Sequence, residues 1–176
     1  MRPSGPLMIE HRLIEKMVEL IKNEINRIEK GKEINTGFIN DATDFFRVYA
    51  DRTHHGKEED ILFESLKKKK LSAEDLRVMD ELAGEHVHAR SRVKSLVEAN
   101  NKYARGDKNV FSEILNLLKE LAGLYPPHIE KEDKVFFPAA MKYYSAQELD
   151  KMLDDFWEFD KAMIHAKYKQ VVEKYT

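Results

Sequence analysis

Residues 54–63 read HHGKEEDILF, and residues 128–137 read HIEKEDKVFF. Both follow one pattern, His-x-x-Lys-Glu-acid-x-aliphatic-x-Phe, within a chain of 176 residues. In each copy a histidine stands four residues before a glutamate: His54 before Glu58, and His128 before Glu132. Positions i and i+4 share a helix face, so each pair presents an imidazole nitrogen beside a carboxylate oxygen. Those donors suit iron, manganese or zinc. One such pair alone is more often a surface contact or a local hydrogen bond. The repetition reaches further upstream: Glu10-His11 precedes the first copy and Glu85-His86 the second, so each half of the chain offers His, His and Glu.

Positioning these groups falls to helices. Seven glycines and five prolines punctuate the chain, and apolar residues recur at helical period. The first helix is expected from about Pro6 to Lys30, stopping at Gly31, with Leu7, His11, Ile14, Val18, Ile21, Ile25 and Ile28 on its inner stripe. A second runs from Asn35 or Thr36 to about Lys69, turning Ile39, Phe46, Ala50, His54 and Glu58 inward. SAED at residues 72–75 resembles a capping box and opens a third, with Met79, Ala83, His86, Ala89, Val93 and Val97 facing in. The fourth follows Gly106-Asp107 and carries Ile114, Leu117, Leu121, His128 and Glu132, with a kink expected at Pro126-Pro127 just before His128. SAQE at residues 145–148 opens a fifth. Four long helices with short connections make an all-α, up-down-up-down four-helix bundle. We expect a single domain over residues 1–176, the bundle over residues 6–142, and an additional C-terminal helix over residues 146–174 packed on its outside.

Counted from the helix ends at about 1.5 Å per residue, His11, His54, His86 and His128 fall at one level, one per helix. Glu58 and Glu132 share their faces with His54 and His128. Buried ionised glutamates cost several kcal/mol each unless paired or bound to a cation. Six donors exceed what one tetrahedral zinc needs, and two carboxylates with two histidines per ion suit a dinuclear site. Iron is the first choice, with manganese or zinc as alternatives.

The bulk composition bounds the rest. Charged residues make up 35 % of the chain with a net charge of -2, which argues against nucleic-acid and membrane-surface binding. There is no cysteine, so disulfides, thiolate metal sites and thiol redox chemistry are excluded. No stretch approaches the roughly 20 apolar residues that span a bilayer. The N-terminus lacks the apolar core of a secretory signal, and the expectation is a cytoplasmic protein.

The ordered pattern His11, His54-x-x-x-Glu58, His86, His128-x-x-x-Glu132 resembles that of the hemerythrin-like, or HHE cation-binding, family over about residues 6–142. The resemblance implies two iron ions joined by carboxylates and an oxo or hydroxo bridge. It also implies dioxygen, nitric oxide or peroxide as the small-molecule ligand. The oxygen carriers of that family have a further histidine four residues after the third-helix one, where this chain has Arg90. That departure argues against reversible oxygen carriage. Alternatives are a stress-response enzyme acting on peroxide, nitric oxide or damaged iron–sulfur clusters, and an iron- or oxygen-sensing module. Their usual cysteine-bearing segment is missing from the cluster-repair comparison, since this chain has no cysteine.

His55 lies about 100° around the helix from His54. It is expected at the bundle edge, as an extra ligand or a neighbour of the ligands, as are Tyr125 and Arg90. Tyr49, like Tyr125, is a candidate to approach the site. Glu59, Glu130 and Asp133 are expected to point outward, and Lys57 and Lys131 to form a solvated face. Glu10 and Glu85 are expected to orient neighbouring groups. His88 and His165 are expected at the surface.

Overall fold

The structure, a computed structural model, describes residues 2–173. No strand occurs among them. Helix α1 spans Ser4–Gly31 and buries the predicted stripe, from Leu7 and His11 through Ile28. Gly31 is its last helical residue, and Lys32 takes the left-handed cap conformation (φ 55°), its N–H returning to the Ile28 carbonyl. The stop is therefore one residue later than expected.

Helix α2 covers residues 36–66. Asn35 caps it by accepting the Phe38 N–H at 3.0 Å. It is not one regular α-helix: Phe46–His55 and Glu58–Phe63 form wide π-helical turns with i→i+5 bonding. Helix α3 spans Ala73–Ala104. Ser72 Oγ accepts the Asp75 N–H at 3.0 Å, but the other half of the expected box is replaced: the Ser72 N–H donates to the Tyr143 hydroxyl. Helix α4 covers residues 111–140, with a third π turn at Glu132–Phe136. Its segment Phe111–Lys131 runs unbroken through Pro126 and Pro127. Both prolines are exposed, as is Gly123, so the carbonyl that Pro127 cannot bond meets water. Helix α5, Ala146–Glu173, opens on a reciprocal box: Ser145 N–H to Glu148 at 2.8 Å, and Glu148 N–H to Ser145 Oγ at 3.3 Å. The expected end at Lys174 lies outside the described residues.

The short connections at residues 32–35, 67–72 and 105–110 reverse the chain three times and produce the four-helix bundle. Its core is divided. One apolar cluster joins Ile14 to Ile28, Ile39 to Ala50, Ala89 to Tyr103 and Ile114 to Ile129. The other joins Leu7, Leu62 to Leu66, Val78 to Leu82 and Phe136 to Met141, and is completed by Met152 and Phe156 of α5. On α1, α2 and α3 the inward histidines fall between the two clusters, and on α4 His128 lies at the end of the first, beside Ile129. Among the described residues no helix is long and apolar enough to cross a membrane.

Neighbouring positions on α1 test this assignment. Ile21 is fully buried and Leu20 is 50 % exposed. Ile21→Ala should cost about 2–5 kcal/mol of unfolding free energy, and Leu20→Ala within about 0.5 kcal/mol of nothing, measured by denaturant unfolding.

Candidate metal centre

The layer between the clusters holds His11 from α1, His54, His55 and Glu58 from α2, His86 from α3, and His128 and Glu132 from α4, all buried. They form two groups. Donor atoms of His11, His54, Glu58 and Glu132 lie within 4.8 Å of one another, as do those of His55, His86 and His128. The two glutamates face both groups. Glu132 has one oxygen 3.1 Å from His11 Nε2 and the other 3.3 Å from His128 Nε2. Glu58 has one oxygen 3.6 Å from His54 Nε2 and the other 3.5 Å from His86 Nε2. That is the arrangement of bridging carboxylates between two cations. None of the four carboxylate oxygens has a hydrogen-bond partner among the described residues, nor do Nε2 of His86 and His128. Buried polar atoms are rarely left so, and a cluster of them aimed at one another fits a pair of metal ions.

Around this layer runs a ring of carboxylates. Glu10 of α1 accepts from His54 Nδ1 of α2 at 2.9 Å, and Glu59 of α2 from His86 Nδ1 of α3 at 2.7 Å. Glu85 of α3 accepts from His128 Nδ1 of α4 at 2.7 Å, and Asp133 of α4 from His11 Nδ1 of α1 at 2.7 Å. A carboxylate only accepts, so each Nδ1 carries a proton and each Nε2 faces the layer, where once deprotonated it can offer its lone pair to a cation. Each carboxylate is also gripped by a cation: Lys57 on Glu10, Arg90 on Glu59, Lys131 on Glu85 and Arg12 on Asp133.

His55 departs from expectation. It is buried, not at the edge, and stacks on His86 with ring centroids 3.8 Å apart. A π turn fits more residues into each turn than an α-helix does, so adjacent side chains diverge less and His54 and His55 both face in. His55 Nδ1 has no carboxylate of its own; Asp51 Oδ1 is 3.5 Å away and accepts instead from Arg90 Nε at 2.6 Å. Arg90 is thus not a donor to metal but a link between Glu59 and Asp51. Tyr125 is buried and stacks on Phe46, in neither group of donors. Tyr49 stacks on Phe45.

Four other residues depart from expectation. Lys57 is fully buried, and Lys131 is engaged with Glu81 and Glu85 rather than solvated. Glu59 and Asp133 point to histidines, not outward. The repeat itself carried that signal, since both the lysine and the second acid recur in each copy. Glu10 and Glu85 orient histidines as expected, Glu130 is exposed beside Lys134, and His88 and His165 are exposed.

With no cation considered, the layer is electrostatically frustrated. Burial, then the charge of Glu132, drives the Glu58 carboxyl well above its ordinary range. Burial opposes ionisation of Glu132 too, but His128 and His11 outweigh it and hold that carboxyl well below. Burial likewise opposes the His128 imidazolium, yet Glu132 and Glu85 push it up to about 9, while burial takes His54 down to about 4. Two ionised carboxylates cannot share this site without positive charge between them, and divalent ions would supply it.

Residues 4–140 match the hemerythrin HHE cation binding domain family. Similar chains include uncharacterised proteins of Mycobacterium bovis and of two Mycobacterium tuberculosis strains, each 21 % identical over 169 residues. The match takes in 96 % of this chain and 65 % of theirs. No solved structure matches the chain.

Metal analysis after equilibration with ferrous ion should give two ions per chain. Glu132→Ala, which removes an oxygen from both groups, should weaken both ions, and His55→Ala only one. Uptake should release protons, and affinity should rise with pH until His128 is deprotonated, near 9. Pulse titrations with a pH-indicator dye would show this.

Proposed function

The chain belongs to the hemerythrin HHE cation-binding family, and on that premise we propose that it is a non-haem di-iron protein that binds or reacts with dioxygen, nitric oxide or peroxide. The observation that carries this reading is the position of Glu58 and Glu132, each turning one oxygen to each histidine group. Nitrogen and oxygen donors of this mixture suit iron, and also manganese or zinc. Iron is favoured because three histidines and two shared carboxylates exceed a tetrahedral zinc set.

The groups are unequal. His11 and His54 give one ion two nitrogens, and His55, His86 and His128 give the other three. The ion with fewer protein donors is the one left able to take an external ligand. His55 makes up the nitrogen that Arg90 does not provide, so the argument against oxygen carriage from that position loses its force. Bound iron would supply the electrons and the coordination site for a small oxidant. The protein's own part is to fix the tautomer and orientation of four imidazoles through their Nδ1 carboxylates, to hold His55 by stacking on His86, and to keep bulk water out with the two apolar clusters.

Entry to the layer is offered by a cavity of about 450 Å³ on its three-histidine side, beside His55, lined by Phe46, Ala89, Val93, Val97 and Tyr125 and also by Arg47, Asp51, Arg90, Lys94 and Glu98.

Anaerobic ferrous protein exposed to dioxygen, nitric oxide or peroxide should develop ligand-dependent absorption bands. A spectrum indifferent to all three would end this reading. Continued consumption over many equivalents would mark an enzyme, and a single stoichiometric, reversible change a carrier or sensor. Val93→Trp, which narrows the cavity, should slow the reaction with dioxygen with iron content unchanged, followed by stopped-flow absorption.

A further inference from the structure

Lys57 is a fully buried lysine that no donor group uses directly. A buried ammonium needs partners, and this one has two carboxylates from opposite sides. Glu10 of α1 is one; the other is Asp160 of α5, whose Oδ1 lies 2.8 Å from Nζ. The Phe156 ring of α5 is 5.9 Å away. At Gly56, next in sequence, an added Cβ would meet Cζ of Phe159 at 2.7 Å. Helix α5 therefore rests directly on the stretch of α2 that carries His54 and His55. In the second half of the chain Lys131 holds Glu85 in the same way, but its second carboxylate is Glu81 of α3. The two halves share the His–carboxylate–Lys sequence of contacts, and in the first half that sequence continues onto the fifth helix.

We propose that Lys57 and Asp160 are positioning residues for His54, and that docking of α5 and metal binding at the His11–His54 group stabilise each other. The inference rests on the di-metal reading above. A cation on the inner face of His54 makes its Nδ1–H a stronger donor and draws Glu10 toward it. Lys57, sharing Glu10, then depends more on Asp160, which tightens α5 against the bundle. Linkage makes the effect reciprocal: whatever holds α5 down raises the affinity of that ion.

Asp160 is partly exposed, so Asp160→Asn leaves the core intact. Full-length protein is titrated anaerobically with ferrous ion, and amide hydrogen exchange is followed over residues 156–164. In the wild type, metal should slow exchange there. In Asp160→Asn that metal-dependent protection should vanish, and one of the two ions should bind about tenfold more weakly, the usual size of such outer-contact effects, with the other unchanged. Asp160→Glu should restore both readouts, and Glu158→Gln, whose carboxylate meets Lys161 on the surface, should behave as wild type. Two ions bound with α5 exchange and the Asp160→Asn affinities unaltered would overturn the coupling and leave the di-metal reading standing. Equal weakening of both ions would also overturn it, as general destabilisation. A wild type that takes up no metal removes both.

Discussion

An ionised carboxylate taken out of water costs several kcal/mol unless something compensates it. Glu58 and Glu132 are both fully buried, in a layer shared with five imidazoles. Much of the bundle's polar architecture answers that one constraint. The seams between α1 and α2, α2 and α3, α3 and α4, and α4 and α1 are each crossed by one carboxylate–histidine hydrogen bond. In each case the carboxylate comes from one helix, and the histidine and the cation that grip it come from the next. The ring is thus closed, and it fixes the helices against one another at the level of the layer. Charge alternates outward: ligand groups, carboxylates, then Arg or Lys, with Lys57 covered in turn by Asp160 of α5. The innermost groups are left with unanswered polar atoms, the four oxygens of Glu58 and Glu132 and Nε2 of His86 and His128, and they face one another.

The ring obeys the internal repeat, and the departures from the repeat are concentrated in one place. His54, Lys57, Glu58 and Glu59 correspond to His128, Lys131, Glu132 and Asp133, and each pair does the same job in its half. Where the first copy has His55-Gly56, the second has Ile129-Glu130. Ile129 joins the apolar cluster, whereas His55 joins a group of donors. Gly56 leaves room for Phe159, and Lys57 reaches Asp160. Two adjacent substitutions thus create both asymmetries of the molecule: unequal nitrogen counts around the two groups, and a fifth helix seated on one half.

Much of this was legible in the sequence because it depends on helical period. The stripe Leu7 to Ile28, the capping serines at 72 and 145, and the level placement of His11, His54, His86 and His128 all follow from 3.6 residues per turn. What period alone could not supply was the destination of charged side chains. Lys57 and Asp133 carry no apolar signature, so a pattern reader sends them to water. Their burial is a consequence of the layer and is visible only once the layer is assumed. His55 escapes the pattern for a different reason: its segment is π-helical and does not turn by 100° per residue.

That angle bears on why the same phrase carries a wide turn in both halves. Glu58–Phe63 and Glu132–Phe136 are π-helical, and each begins at an inward glutamate. A π turn has poorer packing than an α turn and persists where surrounding contacts over-determine it. Here they do. Glu58 must face the layer while Glu59, the next residue, must reach His86 across the seam; Glu132 and Asp133 face the same double demand with His11. An α-helix would separate such neighbours by about 100°, which suits one inward and one outward residue. A wider turn narrows the angle and lets two consecutive acids serve one layer, the first toward its centre and the second along its rim. The repeated acid pair and the repeated π turn are therefore one feature, seen once in the sequence and once in the backbone.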